Sequence, residues 1–170
     1  MKTEDLKEII EGLIDTFFHA GKLSLELRKK GLIKEYKEDN TPVSNGDLEV
    51  NRIITKKIIN LTPEIPIVSE ETNHNKNKKD LKDFWLIDPI DGTYDYINNL
   101  DEFTLNAGLI LSNRAVAGII YAPAKNRLFY SYGKGYSFEK TNNDTIRLDC
   151  SKDNGSSNIK FVSYSNKIKP

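Results

Sequence analysis

Four carboxylates carry the chemistry this chain can do. Glu70 and Glu71 follow the short β-branched run Ile65-Pro66-Ile67-Val68-Ser69. Asp88 ends the apolar run Phe84-Trp85-Leu86-Ile87, and Asp91 lies three residues further on, across Pro89-Ile90. Apolar strands that finish on acids place charge at a sheet edge, where it is partly desolvated. Carboxylates gathered there repel one another, and their pKa values rise unless a cation sits between them. Carboxylates and main-chain carbonyls are hard oxygen donors, which suits Mg²⁺ over a thiophilic metal. Pro89 stiffens the turn, so both Asp side chains and the Ile90 carbonyl can face one point. Gly92 permits close approach of a ligand to the main chain. A helix opening near Thr93 would aim free N–H groups at the same place and favour a phosphate. Metals beside such a helix end predict metal-assisted phosphoryl hydrolysis, in which a bound water is made acidic and the leaving oxygen is stabilised.

Asp-Pro and Asp-Gly are common turn formers, so Asp-Pro-Ile-Asp alone would be structural more often than catalytic. The full hexapeptide Asp88-Pro89-Ile90-Asp91-Gly92-Thr93 after a strand reverses that balance, with Glu70 and Glu71 18 and 17 residues before Asp88. An aspartyl-phosphate route is disfavoured. The pattern Asp-x-Asp-Gly-Thr would put its nucleophile at Pro89, which cannot attack, so direct attack by activated water is preferred. His19, among apolar neighbours, reads as structural. His74 is isolated in the Lys/Asn-rich loop 72–80, and Cys150 is the single cysteine, without a disulfide partner or a metal cluster.

The elements that must position these acids are legible from periodicity. Leu6, Ile9, Ile10, Leu13, Ile14, Phe17 and Phe18 recur at helical spacing over residues 3–30, with Thr3 as N-cap and Gly31 as stop. Residues 31–43 read as polar and irregular. Ser44 caps a second helix running to about Asn60, with Asp47 at its third position. Residues 65–69 and 84–88 read as strands, then a short helix or turn follows residue 93. Residues 103–111 and 115–121 form a hairpin across Ser112-Asn113-Arg114. Short strands follow at 127–132, 135–139 and 145–149, then a linker at 151–158 and a last strand at 159–164. Two helices before a mainly antiparallel meander make an α+β fold.

Composition narrows the partners. The 170 residues carry 25 basic and 25 acidic side chains, which argues against a polycation acting on nucleic acid or anionic lipid. Mean hydropathy is −0.54. No apolar run approaches the roughly 20 residues that span a bilayer, and the acidic N-terminus is unlike a secretory signal. A reducing cytoplasm is the expected location.

Residues 84–93 (FWLIDPIDGT) resemble the first signature of the lithium-sensitive inositol monophosphatase superfamily. Lys37-Glu38-Asp39-Asn40-Thr41-Pro42-Val43-Ser44 through Asp47 is similar to its K-x-D-x-[ST]-P-V-T-x-x-D segment, and Pro66-Ile67-Val68-Ser69-Glu70-Glu71 to its Glu-Glu strand. Asp101-Glu102-Phe103-Thr104 and Gly118-Ile119-Ile120-Tyr121-Ala122-Pro123 most resemble the branch of 3'(2'),5'-bisphosphate nucleotidases. The resemblance covers roughly residues 5–165.

It implies two or three Mg²⁺ ions: Glu70, Asp88 and the Ile90 carbonyl on one, Asp88 and Asp91 on a second. Thr93, paired with Asp47, would orient the attacking water, and Glu70 counts with them as catalytic. Gly92 and Thr93 main-chain N–H groups would bind phosphate, with Glu70, Ile90 and Asp91 also lining the substrate. Bottom-up, Asp47 could equally be a helix-cap acid and Thr93 a plain N-cap.

The implied substrate is a small phosphate monoester, a nucleotide bisphosphate such as adenosine 3',5'-bisphosphate; an inositol or other sugar phosphate is the alternative. Tyr94-Asp95-Tyr96 stands where that branch often has Lys-Glu-Phe, so a positive charge is lost. The family's second, C-terminal α/β domain carries a Trp-Asp motif, whereas the one tryptophan here is Trp85. Residues 159–165 (IKFVSYS) resemble the strand that opens that domain. The implied division is an N-terminal metal and phosphate domain over 1–150, and a linker with the first strand of a truncated second domain over 151–170. An active phosphatase half, a non-catalytic Mg²⁺- or phosphate-binding remnant, and one subunit of a split enzyme completed by a separate C-terminal fragment all fit. A homo-oligomer is also compatible.

Overall fold

The computed structural model describes residues 1–36, 41–71, 81–141 and 144–149. The first helix, α1 (Thr3–Lys30), buries Leu6, Ile10, Leu13, Ile14, Phe17 and Ala20 on one stripe. Its cap is Lys2 rather than Thr3. The Asp5 carboxylate accepts the Lys2 main-chain N–H at 2.8 Å, which pulls the helix start one residue earlier. Gly31, at φ +98°, ends it.

The stretch expected to be irregular contains a small antiparallel pair, β1 (Lys34–Tyr36) and β2 (Pro42–Ser44). β1 is exposed along its whole length, so it shows none of the apolar alternation that marks a strand in sequence. α2 (Asn45–Leu61) starts as its capping residues require. Ser44 Oγ accepts the Gly46 N–H at 3.2 Å, and Asp47 Oδ2 accepts the Ser44 N–H at 2.8 Å.

A seven-stranded sheet follows chain order: β3 (Ile67–Ser69), β4 (Phe84–Asp91), β5 (Thr104–Leu111), β6 (Arg114–Ala122), β7 (Arg127–Ser131), β8 (Ser137–Lys140) and β9 (Thr145–Arg147). All neighbours are antiparallel except β3 and β4, which run parallel with Ser69 opposite Ile87. This is an α+β fold, with α1 and α2 laid on one face of the sheet. Trp85, Ile87, Leu105, Leu109, Ile119 and Leu128 fill the layer between them. The opposite face carries half-exposed Leu86 and Ile120.

The strand expected to end at Asp88 continues to Asp91. Pro89 has no N–H for the ladder, yet its φ is compatible with extended backbone. The register therefore slips without the strand ending: Asp88 faces Asn106 and Asp91 faces Thr104, three steps on β4 against two on β5. Asp88 accordingly lies within the second strand of the sheet, not at its edge. β8 begins two residues later than periodicity implies, because Gly133 and Gly135 both take positive φ in the preceding turn. The 37–40 part of the Lys/Asp motif, His74, Cys150 and the linker and strand expected over 151–164 lie outside the described residues.

Candidate metal and phosphate site

The parallel pairing of β3 with β4 places the acids. Because the two strands share a direction, their C-terminal ends lie side by side, and the Glu70 N–H donates to the Ile87 carbonyl at 3.1 Å. That sets Glu70 beside Asp88. The turn after β3 is braced from α2. Ser69 Oγ donates to Asn51 Oδ1 at 2.7 Å and accepts the Glu71 N–H at 3.3 Å.

Asp88 Oδ1 is buried and has no hydrogen-bond partner among the described residues. Burial, reinforced by the charges of Glu70 and Asp91, a hydrogen bond with Glu70 and the charge of Glu71, pushes the Asp88 carboxyl up to about 7. Among the described residues no group of three or more His, Cys, Asp or Glu side chains is arranged to hold a metal ion by itself. Mg²⁺ does not require one, since it binds through one or two carboxylates and keeps water or phosphate on its other positions. An orphaned carboxylate oxygen crowded by other acids, with hard oxygen donors around it, fits a divalent cation.

Gly92 and Thr93, expected to face a phosphate, follow directly on these acids. Gly92 has φ +91°, and a Cβ there would lie 2.7 Å from the Glu102 carbonyl oxygen, so both conformation and space require glycine. The 98–103 segment behind it is held by Arg28, which donates to the Leu100 carbonyl at 2.6 Å and pairs with Asp101 at 3.0 Å. Helix α3 (Thr93–Ile97) begins here, and its first ladder bond runs from the Tyr96 N–H to the Gly92 carbonyl at 2.9 Å. The Thr93 N–H thus precedes the ladder.

Thr93 and Asp47 meet although 46 residues separate them. Thr93 Oγ1 lies 3.1 Å from Asp47 Oδ1 and 2.9 Å from the Ile90 carbonyl oxygen. One hydroxyl proton can serve one of these acceptors at a time. Asp47 is fully buried, and Ser44 Oγ also donates to it at 2.6 Å. Burial raises its pKa, opposed by the hydrogen bonds from Ser44 and Thr93. Asp47 is therefore a helix-cap acid and a partner of Thr93 at once.

The structure brings Glu70, Asp88 and Asp91 to one end of the β3–β4 pair, with Ile90, Gly92 and Thr93 following directly and Asp47 arriving from α2. Sequence reasoning missed Asn51, Ser69 and Asn106. Asn106 Nδ2 donates to Asp91 Oδ2 at 3.2 Å. Asn is depleted from strand interiors, so an Asn in the middle of residues 104–111 was the available signal.

Comparison with known proteins identifies the family. The inositol monophosphatase family model matches residues 5–167. The 3'(2'),5'-bisphosphate nucleotidase CysQ of Haemophilus influenzae is 37% identical over 125 residues, covering 72% of this chain and 46% of that protein. Among solved structures, CysQ from Bacteroides thetaiotaomicron superposes with a TM-score of 0.58 at 26% identity, covering 77% of this chain and 48% of that one. An IMPase/NADP phosphatase complexed with Mg²⁺ and phosphate superposes with a TM-score of 0.67 at 17% identity, covering 79% and 51%. The chain belongs to the inositol monophosphatase family. It spans about half the length of the curated relatives it matches.

Proposed function

We propose that this chain carries the metal- and phosphate-binding half of a Mg²⁺-dependent phosphoric monoester hydrolase. We propose as its substrate adenosine 3',5'-bisphosphate, cleaved at the 3'-phosphate. The observation that carries the reading is the unpartnered Asp88 oxygen among Glu70, Glu71 and Asp91, one turn from a glycine-permitted backbone and the Thr93–Asp47 pair. The nucleotidase relatives support the substrate class.

Glu70, Asp88, Asp91 and the Ile90 carbonyl would hold the cations, two or three in number. When bound, these supply charge neutralisation on the phosphate and lower the pKa of water. The Gly92 and Thr93 N–H groups orient the phosphate. Thr93 Oγ1 accepts a proton from the attacking water while passing its own to Asp47 Oδ1, whose burial raises its proton affinity. Residues 1–150 form the unit that does this.

Phosphate release from adenosine 3',5'-bisphosphate tests the reading. The chain is assayed with Mg²⁺, alone and with a fragment matching the remaining length of the Haemophilus relative, against Asp88→Ala. Release above that control in either mixture, suppressed by Li⁺, supports it. No release in both would leave a binding remnant, and absent Mg²⁺ binding would sink the site itself.

A further inference from the structure

Asn106 sits on β5 directly opposite Asp88 on β4. Both line one open cavity of about 1050 Å³. The bond from Asn106 Nδ2 to Asp91 Oδ2 sets which way the amide points, because the flipped form would press Oδ1 against a carboxylate. Asn106 Oδ1 is then buried and without a partner. Among the described residues, Asp88 Oδ1 is the other buried side-chain atom in that condition.

Two orphaned oxygens on register partners are costly in a metal-free sheet, where a β-branched apolar residue at position 106 would pack at no such penalty. What satisfies both is a hydrogen donor that also tolerates a carboxylate. The water shell of a divalent cation has that property, since its hydrogens point outward to neutral acceptors while the ion faces the acids. A carboxamide adds an acceptor there without adding to the repulsion among Glu70, Asp88 and Asp91.

We propose that Asn106 is a further residue of the metal site, its Nδ2 holding the Asp91 carboxylate in place and its Oδ1 accepting a hydrogen from the cation's water shell. This rests on the reading of the acids as a divalent-cation site. It makes Asn106 a positioning residue that acts through Asp91 and water.

Calorimetric titration of the 170-residue chain with MgCl₂, paired with thermal melts in chelator, tests it. Asn106→Leu should weaken Mg²⁺ binding by about 10- to 100-fold, the usual cost of losing an outer-shell partner. In chelator its melting temperature should match or exceed that of the unaltered chain, because an unsatisfied acceptor has been removed. Asn106→Ala, which adds no bulk, should show the same loss of affinity. Affinity within about twofold of the unaltered chain in both variants overturns the proposal and leaves the acid site standing. Unfolding of both in chelator also overturns it, by making Asn106 a packing residue. No Mg²⁺ binding by the unaltered chain would remove the site reading and this proposal together.

Discussion

The two faces of β4 and β5 differ in how completely they are satisfied. On the face toward α1 and α2, Trp85, Ile87, Leu105 and Leu109 are fully buried, and the Trp85 indole N–H donates to Thr62 Oγ1 at 3.0 Å. On the other face the same strands present Leu86 at 51% exposure, Asp88, Asn106 and Gly108, and both orphaned oxygens belong to it. Alternation puts consecutive residues on opposite faces. One strand thus carries a packed core and the candidate site one residue apart. The inner face holds the fold together, and the outer face carries two buried side-chain oxygens that no described residue satisfies.

The contrast predicts opposite responses to substitution. Trp85→Ala on the inner face should cost about 3–5 kcal/mol of unfolding free energy in a denaturant titration, through the cavity left. A loss below about 1 kcal/mol would mean the inner face is not the stabilising one. Gly92→Ala, at the junction of the faces, should cost about 2 kcal/mol or more, since positive φ alone costs roughly 1–2 kcal/mol and the new Cβ meets the Glu102 carbonyl. Leu86→Ala on the outer face should change stability by less than about 0.5 kcal/mol, the smallest effect of the series.

Asp88→Asn should stabilise the metal-free chain, by about 1–2 kcal/mol at pH 8 after allowance for solvent screening. The sign follows from the folded-state pKa, which is raised to about 7 from 3.8. The folded chain holds that proton more tightly than the unfolded one. The resulting stability is fully present below about pH 4 and is lost as pH rises through 7. The difference between the two chains in chelator should therefore grow from pH 5 to pH 8. A flat difference would contradict the crowding of acids around Asp88.

Much of the architecture was legible because it rests on local rules. Ser44 and Asp47 announced the start of α2, the heptad-like apolar stripe announced α1, and the acids after apolar runs pointed to the candidate site. What escaped depends on pairing between distant segments. That β3 lies parallel to β4, and so aligns Glu70 with Asp88, follows from tertiary packing that no local pattern encodes. β1 was missed because an exposed strand needs no alternation. The passage of β4 through Pro89 was missed because a lost N–H interrupts a ladder without bending it. The Thr93–Asp47 pair was legible only through family resemblance, since nothing in either residue's neighbourhood points to the other. Asn106 needed the β4–β5 register before it acquired a meaning.

The central claim is that the acids at the end of β3 and β4 form a divalent-cation site centred on Asp88. Calorimetric titration of the chain with MgCl₂ at pH 8, set beside the isosteric Asp88→Asn variant, tests it most directly. The account predicts saturable Mg²⁺ binding by the unaltered chain, and affinity at least about 100-fold weaker in the variant, because removing one charge from a shared ligand set costs several kcal/mol. Equal affinity in the two chains, or no binding by the unaltered one, would contradict it.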